Sequence, residues 1–249
     1  MLYGYKFVAN VLQPLQVVVW GELALGYLGV PTVLNDYMFG VSDEELDMAE
    51  HKLISAGFVR QTWSFCSTRD PENMKNHPRW QQWYANKRTA YQNFDSVTRR
   101  FDYPDESRHV TRTILLPTSY LRLSISDPGQ AGYADPTPSL SQPAFYIDAN
   151  LHWPNVVMLL QSILMVIEEE SYAPRLDFVG LLKAWAFTYL VNDLSLRHDV
   201  LDSCRDATLK EYFDKKTNRG QPQPIREKWN KPRPLITNER IREFQVVQS

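Results

Sequence analysis

The spacing of apolar positions divides the chain into a first part with strand-like and mixed patterns and a second part with helical patterns. Near the N-terminus the pattern predicts four elements in order: a buried strand over 17–20, a short helix over 23–28, an extended segment over 31–41 and an amphipathic helix over 42–56. Gly29, directly after the short helix, is typical of a helix C-terminus. This order of elements predicts an α/β fold.

The remaining patterns extend that prediction. They indicate a strand over 58–67, a helix with one aromatic face over 78–100, strand-like residues over 110–125 broken at Pro117, a loop over 127–143, and helices over 155–170, 176–191 and 197–213. We therefore expect a mixed sheet of four or five strands flanked by helices, followed by a helical C-terminal part. The predicted boundaries are 1–145 for the α/β domain, 146–214 for the helical part and 215–249 for a tail.

The tail differs from the rest of the chain in its charge. It holds nine basic residues against three acidic ones, and four prolines interrupt it. This composition predicts a solvated segment. Docking onto its own domain and contact with an acidic protein partner remain open alternatives.

Composition narrows the classes of protein considered. The formal net charge of the 249 residues is −2, which gives no reason to expect a nucleic acid or an anionic membrane as partner. The two cysteines, Cys66 and Cys204, form no CxxC pair, which argues against a disulfide scaffold or a zinc site. The apolar stretch 8–34 is interrupted by polar residues and proline, so we expect a cytoplasmic protein without a membrane anchor.

Small residues and one carboxylate carry a resemblance to a known family. The matching positions are Gly21, Ala24-Leu25, Gly29-Val30-Pro31, Asp36 and Gly57-Phe58. Their order resembles the core motif of the nucleotidyltransferase superfamily, in which a glycine turn precedes a helix and an Asp-x-Asp strand. It is also similar to a group of fungal nucleotidyltransferase-like proteins with a degenerate pattern. The resemblance implies a nucleotidyltransferase-like sheet.

Two positions depart from the chemistry that the resemblance implies. Alternate residues of a strand share one face, so Asp36 and Met38 face the same way, but a thioether offers no hard oxygen to Mg²⁺. Glu22 stands in the turn where the family brings backbone N–H groups to phosphate, and its charge would repel the phosphate. A magnesium ion would have to rely on Asp36, Glu22 and a later acid such as Asp127.

The resulting hypothesis is a nucleotidyltransferase-like protein that has lost metal-dependent transfer. Its cleft would be reused for binding or acid–base chemistry on a small molecule, with Asp36 and Glu22 as the catalytic pair and no metal or other cofactor. The predicted substrate-binding residues are Gly21, Met38, Tyr27 and Arg112. Two alternatives stay open: an active Mg²⁺-dependent nucleotidyltransferase and a non-catalytic protein-interaction module.

Structural roles are also compatible with the same residues. Asp36 can cap a turn or pair with an arginine, and Glu22 can begin its helix near the favourable end of the dipole. His109, next to Arg108 and three residues before Arg112, can bind an anion or supply a base, although we expect a surface strand end. The aromatic and basic residues around Trp83 can pack inward or bind single-stranded nucleic acid, although we expect packing.

Overall fold

A seven-stranded mixed sheet is the centre of the fold. The computed structural model describes residues 4–62, 64, 78–104, 112–127, 130, 132–135, 143–171 and 177–217. Within these residues the strands are β1 (Val17–Trp20), β2 (Asp36–Val41), β3 (Val59–Gln61), β4 (Arg99–Asp102), β5 (Arg112–Pro117), β6 (Phe145–Asp148) and β7 (Leu151–Pro154). They lie in the order β3-β4-β5-β2-β1-β7-β6. The pairs β1–β7 and β2–β5 are parallel, and the other neighbours are antiparallel.

Helices cover both faces of this sheet. In the described residues they are α1 (Tyr5–Leu12), α2 (Gly21–Tyr27), α3 (Leu46–Ser55), α4 (Pro78–Ala90), α5 (Gln92–Val97), α6 (Thr118–Leu121), α7 (Val156–Glu170), α8 (Asp177–Lys183) and α9 (Ala207–Lys216). A 3₁₀ turn (Asp43–Glu45) precedes α3, and a π-helical stretch (Ala184–Asp193) continues α8. None of the helices in the described ranges is long and apolar enough to cross a membrane.

Aromatic packing and one buried helix hold the layers together. On one face, the rings of Phe7 in α1 and Phe58 stack 5.8 Å apart. On the other face, the indole N–H of Trp20 donates to the hydroxyl of Ser162 in α7 at 2.9 Å. Helix α7 is buried along most of its length because apolar side chains occur on all its sides. The core therefore lies on both faces of the sheet.

The expected α/β class, with a mixed sheet flanked by helices, is confirmed. The apolar run of β1 forms a strand that is buried throughout, as its β-branched composition predicts. Helix α2 ends before Gly29, whose φ of 89° is the left-handed value that suits glycine there. The predicted central helix is α7, where the Asn155 side chain accepts from the backbone N–H of Met158 at 2.9 Å.

The sheet is larger than the four or five strands expected. The helix predicted over 78–100 is wrong in its extent, because α4 and α5 end at Val97 and the chain continues as β4. The β6–β7 hairpin was also missed, and β7 pairs with the central strand β1. The sheet thus includes residues beyond position 145, while the proposed domain boundaries stay a prediction.

Three other element boundaries differ from the prediction. Helix α3 begins only after the 3₁₀ turn, and the Ser42 hydroxyl donates to the Glu45 carboxylate at 2.9 Å instead of capping the backbone. Strand β3 covers only three residues of the segment predicted over 58–67. The last predicted helix starts late, at Ala207, because Asp206 caps it by accepting from the backbone N–H of Leu209 at 3.0 Å.

Candidate functional site

The topology brings the motif residues to one edge of the sheet. Strand β1 ends where β2 begins, because the two strands are antiparallel and Trp20 pairs with Met38. Gly21 and Glu22 therefore follow β1 at the edge where Asp36 opens β2. Strand β5 runs parallel to β2, with Arg112 directly opposite Asp36.

Asp36 and Arg112 form a two-pronged ion pair across this edge. The guanidinium Nε lies 2.9 Å from Oδ1 of Asp36, and Nη2 lies 3.3 Å from Oδ2. The third nitrogen of Arg112, Nη1, donates to the backbone carbonyl of Ser64. The two side chains are only 14% and 20% exposed, so water screens their attraction less than it would at an open surface. Both oxygens of Asp36 are engaged by Arg112.

Glu22 is held by the residue that precedes β2. Its carboxylate accepts from the backbone N–H of Asn35 at 2.5 Å and from the Asn35 side-chain amide at 2.8 Å. Burial raises the pKa of Glu22 above its ordinary value, and the charge of nearby Asp36 acts in the same direction. The two bonds from Asn35 oppose that shift because they stabilise the ionised form.

Met38 and Trp185 occupy the space beside Gly21. Gly21 has a φ of 64°, and a Cβ placed there would lie 2.7 Å from the Met38 sulfur and 3.3 Å from the Trp185 ring. Both side chains are buried. A phosphate approaching the Gly21 backbone from this side would meet them first.

A chain of polar contacts runs from Asp36 into the interior. Beyond Arg112, the backbone N–H and hydroxyl of Ser64 donate to Asp95 at 3.1 and 2.6 Å. Asp95 pairs in turn with Nη1 of Arg100 at 2.7 Å. The Arg100 side chain lies against the Phe94 ring, 4.9 Å from its centroid, and the burial of Arg100 lowers its pKa to about 10.

The sequence prediction missed Ser64, Asp95 and Arg100. The helix predicted over 78–100 included the first two residues of β4, a strand in which Arg100 and the two residues after it are buried. Among the described residues, the Nε and Nη2 atoms of Arg100 have no hydrogen-bond partner.

Glu170 is a second buried carboxyl group. Its Oε1 atom accepts from the Tyr120 hydroxyl at 2.7 Å and from the Asn93 amide at 2.9 Å. Burial raises the pKa of Glu170, and the two donors oppose the shift. Burial and the adjacent Glu170 charge raise the pKa of Tyr120 well above its ordinary value.

Other predicted site residues lie apart from this cluster or outside the described residues. Tyr27 stacks on Trp153 at 4.3 Å and belongs to an aromatic cluster with Tyr146. Asp127 is exposed in the loop after α6. The positions outside the described residues include Cys66, Arg108, His109 and the tail beyond 217.

Helix α4 carries the aromatic and basic residues for which two interpretations were open. Trp83 is 37% exposed. The ammonium nitrogen of Lys87 lies over the Trp83 ring, 5.9 Å from its centroid. Phe94, in the following helix, is buried and packs on Phe178 at 4.2 Å. The aromatic residues of this segment thus differ in their burial.

The residues at the sheet edge do not fit a magnesium site. Asp36 gives both oxygens to a guanidinium, and Met38 supplies only a thioether, whereas Mg²⁺ requires oxygen ligands in near-octahedral geometry. In the described part of the chain, no group of three histidine, cysteine, aspartate or glutamate side chains is arranged to hold a metal ion.

Comparison of the chain with protein-family models, curated proteins and solved structures found no match.

Proposed function

We propose that the chain is a nucleotidyltransferase-like protein that has lost metal-dependent nucleotidyl transfer at the sheet edge and acts by binding rather than by catalysis. The observation that carries this proposal is the two-pronged pair of Asp36 with Arg112. The arginine lies beside the carboxylate that a transferase of this type would use to hold its metal. The positively charged Arg112 side chain in that place pairs with the carboxylate, so that no metal ion is needed to balance its charge.

The charges around the pair add support. Glu22, Asp36 and Asp95 supply three carboxylates at this end of the sheet, against the guanidinium groups of Arg100 and Arg112. A nucleoside triphosphate carries several negative charges and binds best where cations or unpaired backbone N–H groups are available. Here both arginines are already paired, so the local field does not favour a polyanion.

Acid–base chemistry at the same residues receives less support. Both oxygens of Glu22 accept from Asn35, and both oxygens of Asp36 accept from Arg112. A general acid or base must reach the proton that it transfers. Reuse of this cleft for a small molecule meets the same difficulty, because Met38 and Trp185 fill the space beside Gly21.

Calorimetric titration of the full chain with nucleoside triphosphates, with and without Mg²⁺, tests the proposal. We expect no saturable heat in either condition. The matched control is Asp36→Asn, which keeps the size of the side chain and removes its charge. Binding that requires Mg²⁺ and disappears in the variant would overturn the proposal in favour of an active transferase.

A further inference from the structure

A cavity of about 330 Å³ lies away from the sheet edge just described. Its walls come from the loop before residue 136, from α7 and from the start of α9. Glu22, Asp36, Met38 and Arg112 do not line it. Its volume falls at the lower end of the range of about 300–1,000 Å³ that is usual for small-molecule sites.

The lining combines acidic and apolar residues with one basic residue, Arg205. Asp135 and Asp206 supply carboxylates, and Met165 and Leu209 supply apolar surface. The Asp135 side chain is 12% exposed, and its partner is Arg205, whose Nε lies 3.2 Å away. Because the Arg205 side chain is 78% exposed, water screens it and its pairing energy with Asp135 is small. Asp135 is therefore a nearly buried carboxylate that already pairs with one cationic group, the guanidinium of Arg205.

Gln161 positions Asp135 and offers an unused donor. Its Oε1 atom accepts from the backbone N–H of Asp135 at 2.7 Å, which fixes the loop against α7. The residue is 1% exposed, yet its Nε2 atom has no hydrogen-bond partner among the described residues. A buried amide N–H without an acceptor is unfavourable, because it has lost its bonds to water without replacement. An oxygen atom on a bound molecule would satisfy it.

Cys204 lies in the same lining and provides a reporter. Burial raises the pKa of its thiol, and the charges of Asp206 and Asp135 raise it further. The group therefore stays protonated near neutral pH and does not serve as a strong nucleophile. A slow alkylation rate that falls further on ligand binding is the behaviour expected of such a thiol.

We propose that this cavity binds a small organic amine that also carries a hydroxyl or carbonyl oxygen. The ammonium group would pair with Asp135 in competition with Arg205, the oxygen would accept from Gln161, and the hydrocarbon part would lie on Met165 and Leu209. The Asp135 carboxylate selects the positive charge, and the apolar lining residues select a hydrophobic body.

The test compares phenylalaninol with 3-phenylpropan-1-ol, which lacks only the amine. The full chain carries Cys66→Ser, so that Cys204 is the sole thiol, and iodoacetamide labelling of Cys204 is followed by mass spectrometry. We expect phenylalaninol to protect Cys204 in a saturable way at millimolar concentration or below, and the alcohol to protect it at least about tenfold less effectively. Equal protection by both compounds, or protection by neither, overturns the proposal.

Two substitutions with opposite expected effects sharpen the test. Asp135→Asn keeps the backbone N–H that Gln161 holds, and should weaken phenylalaninol binding by about tenfold or more. Arg205→Gln removes the competing cation and should strengthen binding by about threefold. The matched control is Asp202→Asn, which removes an exposed carboxylate near Lys210, outside the cavity lining. Loss of affinity in Arg205→Gln, or an equal loss in the Asp202 and Asp135 variants, overturns the proposal.

Methionine-methyl NMR separates this site from the sheet edge. Met165 lines the cavity, whereas Met38 packs on Gly21. Phenylalaninol should shift the Met165 methyl signal and leave the Met38 signal in place. A shift of Met38 alone would place the ligand at the sheet edge, which contradicts this proposal and reopens the question of small-molecule binding there.

Discussion

Asp36 and Arg112 face each other across two parallel strands, so their attraction acts at a sheltered edge of the sheet. Removing one partner leaves the other charge partly buried and uncompensated. Replacing both by apolar side chains of similar volume removes that penalty. If the pair is structural, removing one partner should therefore destabilise the fold more than replacing both partners by apolar side chains.

Asp36→Asn should destabilise the fold by about 1–3 kcal/mol, because it breaks a charge-assisted pair and leaves Arg112 without its counter-charge. A double-mutant cycle compares the wild type with Asp36→Leu, Arg112→Met and the double variant, which should lose less stability than the sum of these two single losses. Urea denaturation of the four proteins gives the coupling energy. The exposed pair Arg197–Asp199 is the reference, where we expect less than about 1 kcal/mol. Additive losses at Asp36 and Arg112 would show that the pair does not support the fold.

Glu170 predicts a pH effect with a definite sign. Its pKa in the folded state is raised above 4.5, so the unfolded chain loses this proton first as the pH rises. Ionisation of Glu170 thus disfavours the folded state. The stability that is present below pH 4.5 falls as the pH rises through the raised pKa of Glu170 in the folded state. Glu170→Gln keeps the Oε1 acceptor for Tyr120 and Asn93 and should remove this decline.

The measurement is the free energy of unfolding of the wild type and Glu170→Gln between about pH 4 and pH 7. The free energy of unfolding of Glu170→Gln, relative to that of the wild type, should increase as the pH rises. Glu169→Gln is the control, because Glu169 is 40% exposed and adjacent in sequence. The same pH trend in both variants would argue against a special role of burial at Glu170.

Among the secondary-structure elements, the turn from β1 into α2 depends on a single glycine. Gly21→Ala should destabilise the fold by at least roughly 1–2 kcal/mol, since a φ of 64° is unfavourable for alanine and its Cβ would meet the Met38 sulfur. The matched control is Gly180→Ala in α8, where a Cβ meets nothing within 4 Å and the helix should gain about 0.5–1 kcal/mol. Thermal and urea unfolding measure both. Equal effects at the two glycines would contradict the described backbone of the turn.

Elements formed by local signals were predictable from the sequence. The β-branched run of β1, the capping Asn155 of α7 and the glycine after α2 each act within a few residues. Strand β4 was not predictable from the sequence, because its residues also fit a helical pattern. They form a strand by pairing with β5. The β6–β7 hairpin likewise depends on β1, which is distant in sequence. Patterns with a period of two or 3.6 contain no information about such partners.

The candidate site was predictable in some of its members but not in their pairing. Glu22, Asp36, Met38 and Arg112 were all named from the sequence, and the sheet brings them to one edge. Which cation would satisfy Asp36 depends on the register of β2 against β5, and that register is set by tertiary packing. Met38 was recognised as a poor metal ligand, whereas its packing on Gly21 required the structure.

In the molecule as a whole, the proposed ligand site and the charged residues that support the fold lie in different places. The sheet edge contains carboxylates and arginines that satisfy one another, and the cavity between α7 and α9 contains a carboxylate whose partner is exposed. If both proposals hold, the motif of the family has become part of the framework, and the ligand site has developed at the helical side of the protein. The nucleotide titration and the amine titration can fail independently.

The parallel pair β1–β7 has a consequence for how the chain folds during synthesis. The Asn150 side chain donates to the carbonyl of Leu15, a contact that spans 135 residues, and β1 lies in the middle of the sheet. At the usual rates of translation, β7 leaves the ribosome on the order of ten seconds after β1. During that interval one edge of an entirely apolar strand has no partner. We therefore expect the nascent chain to be most prone to aggregation before β7 is made.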